Sequence, residues 1–145
     1  MIQKSLNFSL IILIFLGFVA CSDDSDAYII PNVYVREEVV LSNQEALPLR
    51  FDGGVIYISG GVRGLMIYKQ NATTYRAYDR ACPNNPSASC ELLKADISRV
   101  FMQDSCCGSQ FSWEGTYMGG PAKGNPREYA TAVVSGGRLL ISNTP

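Results

Sequence analysis

The 145-residue chain carries 12 Lys and Arg against 13 Asp and Glu, a formal net charge of −1, with five Cys and no His. A near-neutral balance without a basic patch leaves no electrostatic footprint for nucleic acid. A chain without histidine also excludes nucleophiles activated by an imidazole base and metal sites built on imidazole nitrogen.

In chain order, Lys4 and the apolar run ending Leu10–Ala20 read as a secretory signal peptide, with a positive start, a short apolar core and a small-residue exit. The run is too short for a spanning helix, which needs about 20 apolar residues. Phe18-Val19-Ala20-Cys21 resembles a bacterial lipobox, with Phe18 where Leu is usual. That resemblance implies a lipid on Cys21, which becomes the mature N-terminus. Removing the leader leaves 125 of the 145 residues, one domain's worth, and 11 basic against 13 acidic residues. Ser22-Asp23-Asp24-Ser25-Asp26 reads as a solvated linker. It also resembles the export tag of surface lipoproteins in some Gram-negative bacteria. The expected division is a leader over 1–20, a lipid-anchored tether over 21–32 and a β domain over 33–145. The expected location is the outer membrane, on the cell surface or the periplasmic face, with the lipid as the membrane contact. The sequence names no protein or small-molecule partner.

Beyond the tether come short segments rich in Val, Ile, Tyr and Leu, separated by Gly, Asn, Asp and Pro. Strands are predicted over Val33–Leu41, Leu47–Phe51, Val55–Ser59, Leu65–Lys69, Tyr75–Asp79, Ser98–Met102, Gln110–Trp113, Glu128–Val134 and Arg138–Ser142. Turn signals fall between them at Asp52-Gly53-Gly54, Gly60-Gly61, Asn71-Ala72-Thr73 and Ser135-Gly136-Gly137. Helical periodicity is confined to one possible turn near Glu91–Ala95. Many short strands at this spacing predict an all-β fold, a small antiparallel sandwich or barrel. Gly60-Gly61-Val62-Arg63-Gly64 invites a phosphate-loop reading, but the Lys-Ser/Thr and the helix such loops need do not follow, so a strand connection is expected.

Four cysteines remain beyond Cys21, in two groups: Cys82 with Cys90, and Cys106 with Cys107. Exported chains meet an oxidising compartment, and an even count implies disulfides. Four cysteines allow three pairings. A bridge between the neighbours Cys106 and Cys107 needs a strained ring, which leaves the two pairings that tie one group to the other.

The C-terminal half resembles a Rieske domain. Such domains hold a two-iron, two-sulfur cluster between a Cys-x-His loop and a Cys-x-x-His-Gly-Ser loop. A Phe, a Gly-containing turn, Gly-Pro-Ala and a Pro-Leu-x-x-Tyr strand follow. Here Gly108-Ser109-x-Phe111, Gly115, Gly119-Gly120-Pro121-Ala122 and Pro126-x-x-Tyr129 keep that order. Upstream, Tyr75-x-Ala77-Tyr78-Asp79-x-x-Cys82 matches the strand into the first loop, so the resemblance covers roughly residues 55–142. It implies a β domain with a loop subdomain of the cluster-binding type.

The ligand positions depart from the pattern. Cys82 keeps the first cysteine, Asn84 stands at the first histidine, Asp104 at the second cysteine and Cys107 at the second histidine. Rieske electronics depend on two histidines on one iron, and the chain has none. If a cluster were bound, its ligands would be Cys82, Asn84, Asp104 and Cys107, a poor soft-donor set. Respiratory Rieske proteins often add a disulfide between the two loops, and by that resemblance Cys90 pairs with Cys106. Cys82 and Cys107 are then expected to form a second bridge in place of the cluster. The other pairing, Cys82–Cys106 with Cys90–Cys107, is a one-residue slip away.

The functional expectation is a non-enzymatic exported lipoprotein that has lost its cluster, binds no cofactor or metal, and serves as a structural or binding module. Two alternatives stand beside it: two-iron electron transfer with non-standard ligands, and thiol redox or metal binding by the cysteines. Against the last, a four-cysteine zinc site wants Cys-x-x-Cys knuckles, and redox thiols want Cys-x-x-Cys at a helix start. Neither is present. Catalytic candidates are thin, because Ser109 has no base and Asp79, Glu91, Asp96 and Asp104 show no diagnostic spacing. Tyr68, Tyr75, Tyr78, Phe111, Trp113, Tyr117 and Tyr129 could line a ligand surface, but in strands such residues more often pack the core.

Overall fold

The computed structural model describes residues 29–90 and 92–143. The leader, Cys21 and the acidic run lie outside the described residues. Among the described residues ten strands form: β1 (Arg36–Val40), β2 (Val55–Ile58), β3 (Leu65–Lys69), β4 (Tyr75–Asp79), β5 (Leu93–Ala95), β6 (Met102–Asp104), β7 (Gln110–Phe111), β8 (Tyr117–Gly119), β9 (Glu128–Val134) and β10 (Arg138–Ser142). They pair antiparallel in a six-stranded sheet of order β1-β10-β9-β4-β3-β2 and a four-stranded sheet of order β5-β6-β7-β8. The all-β expectation holds. No helix among the described residues is long and apolar enough to cross a membrane.

Two cores follow from the period-two alternation of strand side chains. Leu65 and Ile67 of β3, Ala77 of β4, Tyr129 of β9 and Leu139 and Ile141 of β10 point into one core with Val35, Leu49 and Ile56. Met66 and Tyr78, the intervening residues of β3 and β4, point the other way. There they meet Leu93, Met102, Phe111, Trp113, Ala122 and Cys82 of the loop subdomain. Covered on both faces, β3 opens with three successive fully buried residues, Leu65, Met66 and Ile67. Each such side chain contributes about 1.5–3 kcal/mol by leaving water. The subdomain is fastened to the sheet by hydrogen bonds and a ring stack as well. The Tyr78 hydroxyl donates to the Trp113 carbonyl at 2.7 Å, the Tyr68 and Trp113 rings stack 4.0 Å apart, and the Ala95 N–H donates to the Tyr57 hydroxyl at 3.0 Å.

Four segments differ from expectation. Leu47–Phe51 is not a strand: Gln44–Arg50 forms a 3-10 helix with Pro48 inside it. Proline has no N–H for a ladder, whereas three residues per turn put Ala46 and Leu49 on one buried face. The helical turn near Glu91–Ala95 is replaced by β5, whose Leu93, Lys94 and Ala95 pair with Asp104, Gln103 and Met102. The strand predicted over Ser98–Met102 starts only at Met102. Ahead of it the Asp96 carboxylate accepts from the Ser98 N–H and hydroxyl, and Arg99 takes a φ of 58°, so the chain turns there. β8 was not foreseen, because its side chains are mostly exposed and show no apolar alternation.

Candidate metal centre

The first loop leaves β4 at Asp79, a fully buried carboxylate. Its Oδ2 accepts from the Val62 N–H at 2.6 Å and the Tyr129 hydroxyl at 2.9 Å. Its Oδ1 accepts from the Arg63 N–H at 3.2 Å and the Ala81 N–H at 2.8 Å. The glycine-rich turn at residues 60–64 therefore does cradle an anion, and the anion is the chain's own Asp79. Gly61 has a φ of 62°, and a Cβ there would lie 2.4 Å from Asp79 Oδ2, so only glycine allows the approach. The bond to Ala81 fixes the backbone one residue before Cys82, which is itself fully buried. Arg63 then reaches across the loop, its guanidinium donating to the carbonyls of Ala88 and Ser89 at 2.9 Å each.

The second loop leaves β6 at Asp104, also fully buried. Asp104 Oδ1 accepts from the N–H groups of Cys106 and Cys107 at 2.7 and 2.8 Å, the side-chain-to-backbone pattern that closes a tight turn. Its other oxygen, Oδ2, is buried with no hydrogen-bond partner among the described residues. Ser109, fully buried, places its hydroxyl 3.1 Å from Cys107 Sγ and accepts from the Ala122 N–H at 3.0 Å. The Gly119–Ala122 turn presses so closely here that a Cβ on Gly120, whose φ is 103°, would lie 2.5 Å from Ser109 Cα.

The two loops meet. Cys90 and Cys106 form a disulfide with Cα atoms 5.7 Å apart. The second bridge expected from the sequence is absent: Cys82 and Cys107 are both unbridged, their sulfurs 3.7 Å apart in hydrogen-bond contact. The slipped pairing, Cys82–Cys106 with Cys90–Cys107, is absent too. Cys82 is held as a thiol, because burial pushes its pKa well up, further than the Asn84 N–H bonded to its sulfur pulls it down, and Asp104 and Cys107 add to the rise. One donor atom from each of Cys82, Asp104 and Cys107 lies within 4.8 Å of the other two. Asn84, at the remaining position, touches the site through that backbone N–H.

Other sequence candidates fall outside this centre. Asp96 caps its exposed turn, and Glu91 lies outside the described residues. Of the aromatic residues, Tyr78, Phe111, Trp113 and Tyr129 are core and Tyr117 is partly exposed. Sequence reasoning missed the part played by Asp79 as the hub that sets Cys82. The available signal was an aspartate three residues before the loop cysteine, with a glycine-rich turn upstream to wrap it.

Comparison with solved structures bears on the fold. The chain is similar to the cyanobacterial plasma membrane Rieske protein PetC3 from Synechocystis PCC 6803, with a TM-score of 0.51 and 21% identity over 61% of this chain and 85% of that one. No family model and no curated protein matches the chain. The described residues thus form a small all-β domain with a Rieske-like fold, and its two facing loops bring Cys82, Asp104 and Cys107 together.

Proposed function

We propose that this chain is a lipid-tethered Rieske-fold module that does not carry the two-iron cluster and works as a binding or structural domain, without catalysis of its own. One observation carries the reading: the donors left at the cluster positions converge on a single point. A two-iron cluster needs two pairs of ligands, one pair on each iron, with nitrogen on the second iron in the Rieske form. By the motif resemblance Cys107 stands at a second-iron position and Cys82 at a first-iron position, and their sulfurs lie 3.7 Å apart. The chain has no histidine to complete the other pair. The residues present do not fit the cluster.

The tether belongs to the same proposal. Lipid on Cys21 holds residues 33–145 at the outer membrane, on the surface or the periplasmic face. The lipobox-like Phe18–Cys21 and the acidic run after it support this. The partner of such a module is a protein or small molecule, reached from the membrane.

The test is iron and acid-labile sulfide analysis of the full chain, purified under strict anaerobiosis so that a labile cluster survives. Far less than one iron per chain, and no Rieske-type electron paramagnetic resonance signal, are expected. Two irons and two sulfides per chain would refute the proposal.

A further inference from the structure

Asp104 Oδ2 is a buried polar atom without a partner among the described residues, beside two unbridged cysteines from a different and from its own loop. Leaving a buried carboxylate oxygen unpaired carries the full desolvation penalty of that group. Among the described residues no donor reaches it, although Oδ1 of the same carboxylate collects two. An atom in that position is explained by a ligand that the described residues do not supply.

From this we infer that Cys82, Asp104 and Cys107 are a three-residue site for one soft divalent cation, zinc by its chemistry, with the fourth coordination position turned to the solvent side of half-buried Cys107. The inference rests on the cluster-free reading above and names the ligand of that same corner. The geometry argues for a single ion. Two thiolates on a tetrahedral zinc, with bonds of about 2.3 Å, stand about 3.8 Å apart; the sulfurs here are 3.7 Å apart. A thiolate and a carboxylate oxygen on the same ion stand about 3.6 Å apart, while the three donors here lie within 4.8 Å. Side-chain adjustment of about 1 Å closes the set.

The donor types select the metal. A thiolate pair favours zinc and disfavours magnesium and calcium, which take oxygen. On binding, both thiols release their protons to solvent, leaving two Zn–S bonds and one Zn–O bond. The surroundings already hold each donor by separate means. Asp79 through Ala81 sets Cys82, the Cys106 and Cys107 N–H groups orient Asp104, and the Ser109 hydroxyl lies beside the Cys107 sulfur. Such outer contacts orient metal ligands and typically change affinity about 10–100-fold when removed.

The lipidated full chain, purified without oxygen and without reductant so that the Cys90–Cys106 bridge stays closed, is titrated with Co²⁺ and then with Zn²⁺, and its thiols are counted by alkylation. Expected are two countable thiols, one Co²⁺ per chain with a thiolate charge-transfer band and tetrahedral visible bands, and their loss when Zn²⁺ displaces it. Cys107→Ser removes the charge-transfer intensity assigned to that sulfur. Asp104→Asn, which keeps an oxygen for the turn, weakens Co²⁺ binding by at least about tenfold. Circular dichroism establishes that both variants are folded. Three outcomes overturn the site while leaving the cluster-free reading intact: a folded chain with two thiols that takes up no Co²⁺, an octahedral spectrum indifferent to Cys107→Ser, or no countable thiols because a second disulfide has formed. Two irons with acid-labile sulfide overturn both.

Discussion

Two fully buried aspartates stand at the roots of the two loops, and they are treated differently by the fold. Asp79 collects four donors, from Val62, Arg63, Ala81 and Tyr129, and both its oxygens are used. Asp104 collects two on one oxygen and none among the described residues on the other. A saturated carboxylate is a structural hub, since the energetic demand of burying it is met from within the chain. A half-saturated one that faces two thiols is a structural element with spare coordination. The difference separates the part of this corner that builds the fold from the part that can take a ligand.

The largest effect expected from breaking this comparison is at Asp79. Asp79→Ala strands four donors, each costing roughly 1–3 kcal/mol when left unpaired in the interior. A total loss on the order of 4 kcal/mol or more would consume much of a small domain's stability. Urea unfolding of the variant against the parent measures it. A loss below about 1 kcal/mol would mean that water replaces the carboxylate and that Asp79 is no hub.

Next comes the covalent tie between the loops. Replacing both Cys90 and Cys106 by Ser removes a crosslink spanning 16 residues of sequence, and about 3 kcal/mol is expected from the chain-entropy model. The variant keeps Cys82 and Cys107, so thiol counting and Co²⁺ binding can be read on the same protein. If the two functions of the cysteines are separate, stability falls while metal stoichiometry holds at saturating Co²⁺.

Tyr129 sharpens the Asp79 side of the comparison. Burial first, and its bond to Asp79 second, raise its pKa well above the usual tyrosine range, while burial pushes Tyr78 up to about 12. The folded chain thus keeps these phenol protons to higher pH than the unfolded chain, whose tyrosines ionise near pH 10. The sign follows: their contribution is fully present below about pH 10 and is lost as pH climbs toward 12 and beyond. Tyr129→Phe should cost about 1.5–3 kcal/mol at neutral pH, the worth of a hydrogen bond to a charged group. It should also flatten part of the alkaline decline, read from urea midpoints between pH 8 and 11. An unchanged alkaline profile would assign the decline elsewhere.

The same contrast governs what the sequence discloses. β3, β4, β9 and β10 have the bounds that their apolar patterns predict, because long strands packed against a core write period-two alternation into the chain. β5 and β8, three residues each, are too short to write a period, and Pro48 turned an apolar run into a 3-10 helix. The loop subdomain was legible through its Gly, Pro and Cys positions, which fix turns and close approaches such as Gly120 on Ser109. Its cysteine chemistry was only half legible. Nothing in the spacing of Cys82 and Cys107 distinguishes a bridge from two thiols in contact, because that depends on which backbone N–H groups orient the second loop. Asp104 supplies that orientation, and a lone aspartate in sequence gives no sign of it.

The smallest stability effect is expected where the spare coordination lies. Asp104→Asn retains a side-chain oxygen that can accept from the Cys106 and Cys107 N–H groups, so the turn keeps both bonds. It exchanges a buried, half-unpaired carboxylate for a neutral amide, which lowers the desolvation cost of that group. In the metal-free protein the two changes should leave stability within about 1 kcal/mol of the parent. The same substitution at Asp79 would put an amide against the Val62 N–H and the Tyr129 hydroxyl, or against the Arg63 and Ala81 N–H groups, with no orientation that serves all four. Measured side by side in chelator, Asp79→Asn should therefore unfold at clearly lower urea than Asp104→Asn. Equal losses would show that both carboxylates are held for the fold alone, and would remove the argument that Asp104 keeps an oxygen for a ligand.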